Sequence, residues 1–210
     1  MSSYKVKEIY YTLQGEGART GRSAVFLRFT GCNLWSGREE DRSDAVCQFC
    51  DTNFVGMDGI KGGKYSVETL ALKVNELWPS HQENKYVVCT GGEPLLQMDE
   101  QLIDALHHYG FEIGIETNGT ITVPKGIDWI CVSPKANTDV VVKKGSELKL
   151  VVRQQGIDPS MFESWDFKNF YLQPMDGPYL KDFTEWATQY CLKHPQWRLS
   201  IQTHKLLGIR

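Results

Sequence analysis

The sequence predicts one α/β domain spanning residues 1–210, built as an incomplete (partial) β/α barrel. Three observations carry this. Short β-rich runs outnumber helical stripes, the two mostly alternate along the chain, and several runs are nearly continuous in apolar residues. A parallel strand covered on both faces requires such a run. A flat doubly wound sheet satisfies the same alternation, because periodicity does not fix curvature.

The β-rich runs fall at 24–29, 86–90, 112–116, 129–133, 147–152, 170–173 and 198–202. Helices are expected at 66–78, 99–109 and 182–193. In the first, Leu70, Val74, Leu77 and Trp78 share a face behind a Ser66 cap. In the second, Leu102, Ile103, Leu106 and Tyr109 form the stripe and Gly110 is the stop signal. The third opens with Asp182 and Glu185 at capping-box spacing, and Phe183, Trp186, Ala187 and Tyr190 form its stripe. No internal repeat, low-complexity tract or linker interrupts the series.

At 210 residues the chain can bury roughly 70% of its unfolded surface without disulfide staples. It is 41% hydrophobic and 23% charged with a formal net charge of −3, the profile of a soluble globular protein. It has no basic tract of the kind a nucleic-acid binder needs. Residues 1–12 carry Lys5, Lys7 and Glu8 among apolar residues, so no signal-peptide core is expected there. No run of about 18 apolar residues is present to span a membrane. A cytoplasmic location follows as the expectation. There, six cysteines suggest metal ligation, catalysis or burial before disulfides.

Polar signatures stand at the C-terminal ends of five runs, where ligands gather in either architecture. They are Thr90-Gly91-Gly92-Glu93, Glu116-Thr117-Asn118-Gly119, Ser133-Pro134-Lys135, Gln173-Pro174-Met175-Asp176 and Gln202-Thr203-His204-Lys205. Five polar ends on one rim predict a catalytic mouth.

Cys32, Cys47 and Cys50 follow the first run with spacing C-x14-C-x2-C. Three thiolates can hold three irons of a cubane and leave the fourth open for a ligand. Structural zinc competes, with a fourth ligand from His81, His107, His108, His194 or His204. Two details favour iron–sulfur: no histidine or fourth cysteine lies near the group in sequence, and Phe49 sits between the last two cysteines. Cys89, Cys131 and Cys191 read as small buried hydrophobes.

Phe29-Thr30-Gly31-Cys32-Asn33-Leu34, Cys47-Gln48-Phe49-Cys50-Asp51 and Thr90-Gly91-Gly92-Glu93-Pro94 resemble the cluster loop and glycine motif of the radical S-adenosylmethionine superfamily. That superfamily usually has C-x3-C-x2-C. The insert here, residues 33–46, holds Arg38, Glu39, Glu40, Asp41 and Arg42, and by itself reads as a solvated loop. Together with Leu13-Gln14-Gly15-Glu16-Gly17, Cys50-Asp51-Thr52 and the two glutamine motifs at 173 and 202, it resembles the 7-carboxy-7-deazaguanine synthase family of queuosine (7-deazapurine) biosynthesis. The resemblance runs from Val6 to the end of the sequence.

It implies a TIM-like partial barrel of the radical S-adenosylmethionine type and a typical homodimer. It implies a 4Fe–4S cluster, S-adenosylmethionine and Mg²⁺ as cofactors, and an electron donor such as flavodoxin or ferredoxin. The implied reaction turns 6-carboxy-5,6,7,8-tetrahydropterin into 7-carboxy-7-deazaguanine with loss of ammonia, through hydrogen abstraction by a 5′-deoxyadenosyl radical and ring contraction. No side chain is then the hydrogen abstractor.

By the same resemblance, Phe49, Cys50, Asp51, Gly91, Gly92, Glu93, Glu116, Ser133, Pro134, Lys135, Gln173, Pro174, Met175 and Asp176 are the cofactor contacts. Gly91 and Gly92 are expected to admit the methionine moiety, with Glu93 or the Gly92 backbone on its ammonium and Glu116 on the ribose. Leu13, Gln14, Gly15, Glu16, Arg28, Thr90, His204 and Arg210 are implied for the pterin. Arg28 would fork onto its carboxylate. A buried ion pair is the alternative for Arg28, and a core histidine for His204. Thr52 is implied for Mg²⁺, which often takes few protein ligands. The chain departs from the family pattern at Asn53, where aspartate is expected, and at Ile209-Arg210, where relatives can end in proline.

Overall fold

The computed structural model describes residues 3–79 and 82–210. His81, one of the candidate zinc ligands, lies outside the described residues. Among the described residues nine strands form one sheet: β1 Tyr4–Leu13, β2 Ser23–Phe29, β3 Gly63–Tyr65, β4 Tyr86–Thr90, β5 Glu112–Thr117, β6 Trp129–Val132, β7 Lys144–Val152, β8 Asp166–Pro174 and β9 Trp197–Leu199. Four α-helices accompany them: α1 Val67–Asn75, α2 Glu100–His108, α3 Leu180–Lys193 and α4 Thr203–Leu207. The strand order is β3-β1-β2-β4-β5-β6-β7-β8-β9. Pairing is parallel from β2 to β9, and β1 runs antiparallel to both β2 and β3.

Along the parallel strands the two faces differ in chemistry, as a period of two demands. Val25, Leu27, Phe29, Val87, Cys89, Ile113 and Ile115 join Leu70, Ala71 and Val74 of α1 and Leu102, Ile103 and Leu106 of α2 in one apolar core. A second core joins Leu148, Leu150 and Leu172 to Ala187 of α3 and to Trp197. The alternate residues, among them Arg28, Thr90, Glu116, Glu147, Lys149 and Gln173, form the other face. It is also covered, largely by polar groups, which is why the runs looked two-sidedly buried.

The 14–22 segment lies across that polar face. Gln14 Nε2 donates to Glu116 Oε1 at 3.1 Å, Ala18 N–H to Glu147 Oε2 at 2.8 Å, and Gly17 N–H to Ser200 Oγ at 2.9 Å. In a flat sheet, seven spacings of about 4.8 Å would part β1 from β9 by roughly 34 Å. Yet Thr203 N–H reaches the Gly15 carbonyl at 3.0 Å. The sheet therefore curls around its polar face.

Four expectations are corrected. Strands β1 and β3 were not anticipated: β1 carries a register shift between Val6 and Glu8, so its alternation breaks. That irregularity buries Lys7, whose Nζ bonds the Val55 carbonyl at 2.8 Å and Asp58 at 2.5 Å. Helix α3 begins at Leu180 without a side-chain cap, so the Asp182–Glu185 box is not its start. Helix α1 keeps the Ser66 cap but ends at Asn75, short of Trp78. Finally, β9 is displaced to Trp197–Leu199, and Gln202 opens α4, so the fifth polar "strand end" is a helix start. Helix α2 matches, with Asp99 capping the Leu102 N–H and Gly110 at φ 79°. Among the described residues no helix is long and apolar enough to cross a membrane.

Candidate active site

The loop after β2 carries Cys32, Cys47 and Cys50 to one cavity at the C-terminal ends of the parallel strands. Burial pushes the Cys32 thiol up, while the N–H groups of Leu34 and Trp35 oppose it. Burial likewise pushes Cys47 up, and Lys135 opposes it. Burial prevails at both, so metal binding would release their protons. A tetrahedral zinc at about 2.3 Å from each sulfur would hold the sulfurs within about 4 Å of one another. Among the described residues the one trio of such ligand atoms within 4.8 Å is Glu116, Cys131 and Glu147. The three loop sulfurs do not all lie that close to one another, and three thiols lining one cavity are the number that leaves one iron of a cubane open. Cys89 and Cys131 are fully buried, with the Cys89 thiol pushed up to about 12 by burial, and Cys191 is half-buried on α3. None of the three lines this cavity.

The same cavity is lined by Phe49, Asp51, Thr52, Thr90, Gly91, Gly92, Glu116, Ser133, Lys135, Gln173, Pro174, Met175 and Asp176. Lys135 Nζ donates to the Ser133 carbonyl and hydroxyl, both at 2.7 Å, and sits 6.0 Å from the Phe49 ring centre. The glycines serve a purpose beyond the expected one. A Cβ on Gly91 would fall 2.8 Å from the Phe29 carbonyl, and one on Gly92 would overlap the Gly31 carbonyl and Cys32. Only glycine lets this segment lie against the cysteine loop, where Glu93 N–H bonds the Gly31 carbonyl at 2.9 Å.

Glu93 itself departs from its expected place. Its carboxylate is fully buried and accepts from Leu95 N–H at 3.0 Å, Thr117 Oγ1 at 2.8 Å and Asn118 N–H at 2.8 Å. It braces two strand ends and does not line the cavity. Pro134 faces away, its carbonyl accepting from Gln154 Nε2 at 3.2 Å. Gln14 is buried behind Glu116.

A second cavity opens beside the first, lined by Leu13, Gly15, Glu16, Arg28, Thr52, Asn53, Thr90, His204 and Arg210. Glu16, Asp51, Thr52, Thr90, Glu116 and Gln202 line both chambers. On this shared wall Lys149 is decisive, and it was not anticipated. Its Nζ lies 2.7 Å from Glu16 Oε2 and 2.9 Å from Glu116 Oε2. The other oxygens accept from Gln202 Nε2 at 3.0 Å and Gln14 Nε2 at 3.1 Å. Burial alone would raise the Glu16 carboxyl, but Lys149 outweighs it and holds it at about 2. Burial keeps Glu147, one residue pair below, above the usual carboxylate range. Lysine at 149, two residues from Glu147 inside an apolar run, was the sequence signal for this ladder.

Arg28 donates to Glu8 Oε1 at 3.0 Å and Tyr10 Oη at 3.3 Å while lining the second cavity. The ion pair is present, with the guanidinium still at the chamber wall. His204 is packed against Gly15, where a Cβ would overlap its ring, so it stands at the chamber and not in a core. Arg210 donates to Glu8 Oε2 at 3.0 Å, and its carbonyl accepts from Thr12 Oγ1 at 2.7 Å. Lys205 Nζ bridges Asp51 and Asp176 at 2.6 Å each. The 200–210 segment thus straps the mouth from β8 across to β1.

An open three-thiol loop, pressed against a glycine pair at the strand ends of a curled parallel sheet, places the chain among the radical S-adenosylmethionine enzymes. No protein-family profile matches the chain. Whole-length relatives do. The 7-carboxy-7-deazaguanine synthase of Bradyrhizobium diazoefficiens is 62% identical over 209 residues, covering 99% of this chain and 100% of the relative. That of Caulobacter vibrioides is 60% identical over 208 residues, covering 99% of each. The crystal structure of QueE from Escherichia coli matches with a TM-score of 0.73 and 29% identity, over 96% of this chain and 95% of that one. The chain belongs to the 7-carboxy-7-deazaguanine synthase family, whose radical chemistry implies a 4Fe–4S cluster and S-adenosylmethionine.

Proposed function

We propose that the two adjoining chambers serve cofactor and substrate of one reaction, the conversion of 6-carboxy-5,6,7,8-tetrahydropterin to 7-carboxy-7-deazaguanine with loss of ammonia. The observation that carries it is the shared wall: six residues line both chambers, so a group bound in one lies directly against the other. Cys32, Cys47 and Cys50 hold the cluster, and Gly91, Gly92, Ser133, Lys135 and the 173–176 segment hold S-adenosylmethionine. When bound, these supply the 5′-deoxyadenosyl radical that abstracts hydrogen from the pterin.

The chain's own residues orient and seal. Glu16, ionised by Lys149, accepts from the pterin amino edge. Arg28 and Arg210 supply positive charge for its carboxylate, and His204 and Thr90 flank the ring. Thr52 offers its hydroxyl to Mg²⁺, with substrate and water completing the shell. Lys205 and Gln202 close the mouth and exclude water.

The wrapped sheet is an incomplete, TIM-like barrel in one domain, and the protein works as a cytoplasmic homodimer reduced by a flavodoxin or ferredoxin. The test is an anaerobic assay of reconstituted protein with dithionite, S-adenosylmethionine, Mg²⁺ and the carboxylated tetrahydropterin, read by mass spectrometry. Formation of 7-carboxy-7-deazaguanine that requires the cofactor supports the proposal. Formation of 5′-deoxyadenosine alone would leave the cofactor chamber standing and remove the substrate.

A further inference from the structure

Residues 47–54, which hold two of the three cluster cysteines, lie outside helix and strand. Among the described residues, 48–54 form no backbone–backbone hydrogen bond. A segment so poorly tied has many shapes to lose when a ligand orders it. Lys205 and Gln202 hold the Asp51 side chain, and the backbone of residues 48–50 is fixed from the insert between Cys32 and Cys47.

Arg42, in the 3-10 helix Glu39–Asp44, turns its guanidinium back onto this arm. Its Nη1 donates to the carbonyl of Gln48 at 2.8 Å and to that of Cys50 at 3.2 Å. Its Nε donates to Glu39 Oε2 at 2.7 Å, and its centre lies 4.1 Å above the Trp35 ring. Trp35 is itself fixed, nearly buried, with Nε1 on the Arg38 carbonyl at 3.1 Å and its ring edge-on to Phe54 at 5.6 Å. The Gln48 side chain adds a bond to the Ser43 carbonyl at 2.7 Å. One planar cation thus stacks on an aromatic, pairs with a carboxylate and grips two carbonyls that bracket Phe49. A lysine cannot reproduce that combination.

We propose that Arg42 is a positioning residue that holds the Cys47–Cys50 arm in its cluster-binding shape before any metal arrives. The charged insert is then the buttress of the cluster loop. This rests on the three thiols being the cluster ligands. Preorganisation of this kind strengthens binding by removing an ordering cost. A fixed cation beside the site also favours the reduced, more negative cluster.

The test uses the full chain with Arg42→Gln and Arg42→Lys. In metal-free protein, amide exchange over residues 47–52 should rise about tenfold in both variants, with other regions and the melting temperature unchanged, since Arg42 lies outside both apolar cores. After reconstitution both should lose iron to a chelator faster than wild type. The midpoint potential should move negative in Arg42→Gln, which loses the charge, and stay near wild type in Arg42→Lys. Wild-type exchange and iron retention in both variants would overturn the assignment, and so would a loss of stability spread over the whole chain. A wild-type protein that takes up no cluster would instead defeat the thiol assignment, while the exchange measurement still reports on Arg42.

Discussion

Lys149 and Glu16 meet at 2.7 Å in the wall between the two chambers, joining the middle of β7 to the segment that follows β1. The lysine side chain is 5% exposed. Because Glu16 is held at about 2 against an ordinary value of 4.5, the folded state favours its ionised form. That stabilisation is complete above about pH 4.5 and is lost as pH falls towards 2. Its size is on the order of 3 kcal/mol. Lys149→Met should remove this dependence and also cost about 3 kcal/mol at pH 7, because two largely covered carboxylates lose their cation. Urea titrations from pH 3 to 8 check it; a variant curve parallel to wild type would mean another group sets the slope.

Cys47→Ala should leave a folded protein that binds no stable cluster. Cys89→Ala, on the apolar face of β4, should keep its iron and lose only about 1 kcal/mol. Iron analysis and the 400 nm absorbance after anaerobic reconstitution separate the two. Full iron in the first variant contradicts the ligand set.

Removing the Glu93 carboxylate strands three donors, from Leu95, Thr117 and Asn118. Glu93→Ala should therefore destabilise by roughly 3 kcal/mol, with any weakening of cofactor binding secondary. Thermal melts of the cofactor-free protein decide the matter. An unchanged melting temperature with lost S-adenosylmethionine affinity would return Glu93 to direct contact with the cofactor.

Lys205 is half-exposed, so its two ion pairs contribute little to global stability, at most about 1 kcal/mol each. Their place across the mouth gives them another effect. Lys205→Ala should raise the pterin KM roughly five- to thirtyfold with the melting temperature nearly unchanged, and should abolish most of its salt dependence. Equal KM values across a salt series would show that the strap does not hold substrate.

Much of this is legible in the sequence. The apolar runs of β4 to β8, the Ser66 cap and the Gly110 stop are local patterns, and each survived; the cysteines of the C-x14-C-x2-C loop do reach one cavity. What failed needed information from across the fold. The bulge in β1 erased its period, and Lys7 was buried by partners some 50 residues away. Glu93 looked like a ligand because its acceptor role depends on Thr117 and Asn118, at the end of a neighbouring strand. The charged insert looked solvated because no pattern ties Arg42 to the carbonyls of Gln48 and Cys50. Side chains that answer to distant partners carry no period.

The strap also carries the long loop closures of the site. The cluster cysteines span residues 32–50, whereas Gln202 meets Glu16 across 186 residues and Arg210 meets Glu8 across 202. Closing a longer loop costs more entropy, so this part of the site depends most on the rest of the fold being formed. The cysteine loop is thus local in sequence, whereas the strap that borders the chamber joins residues some 200 positions apart.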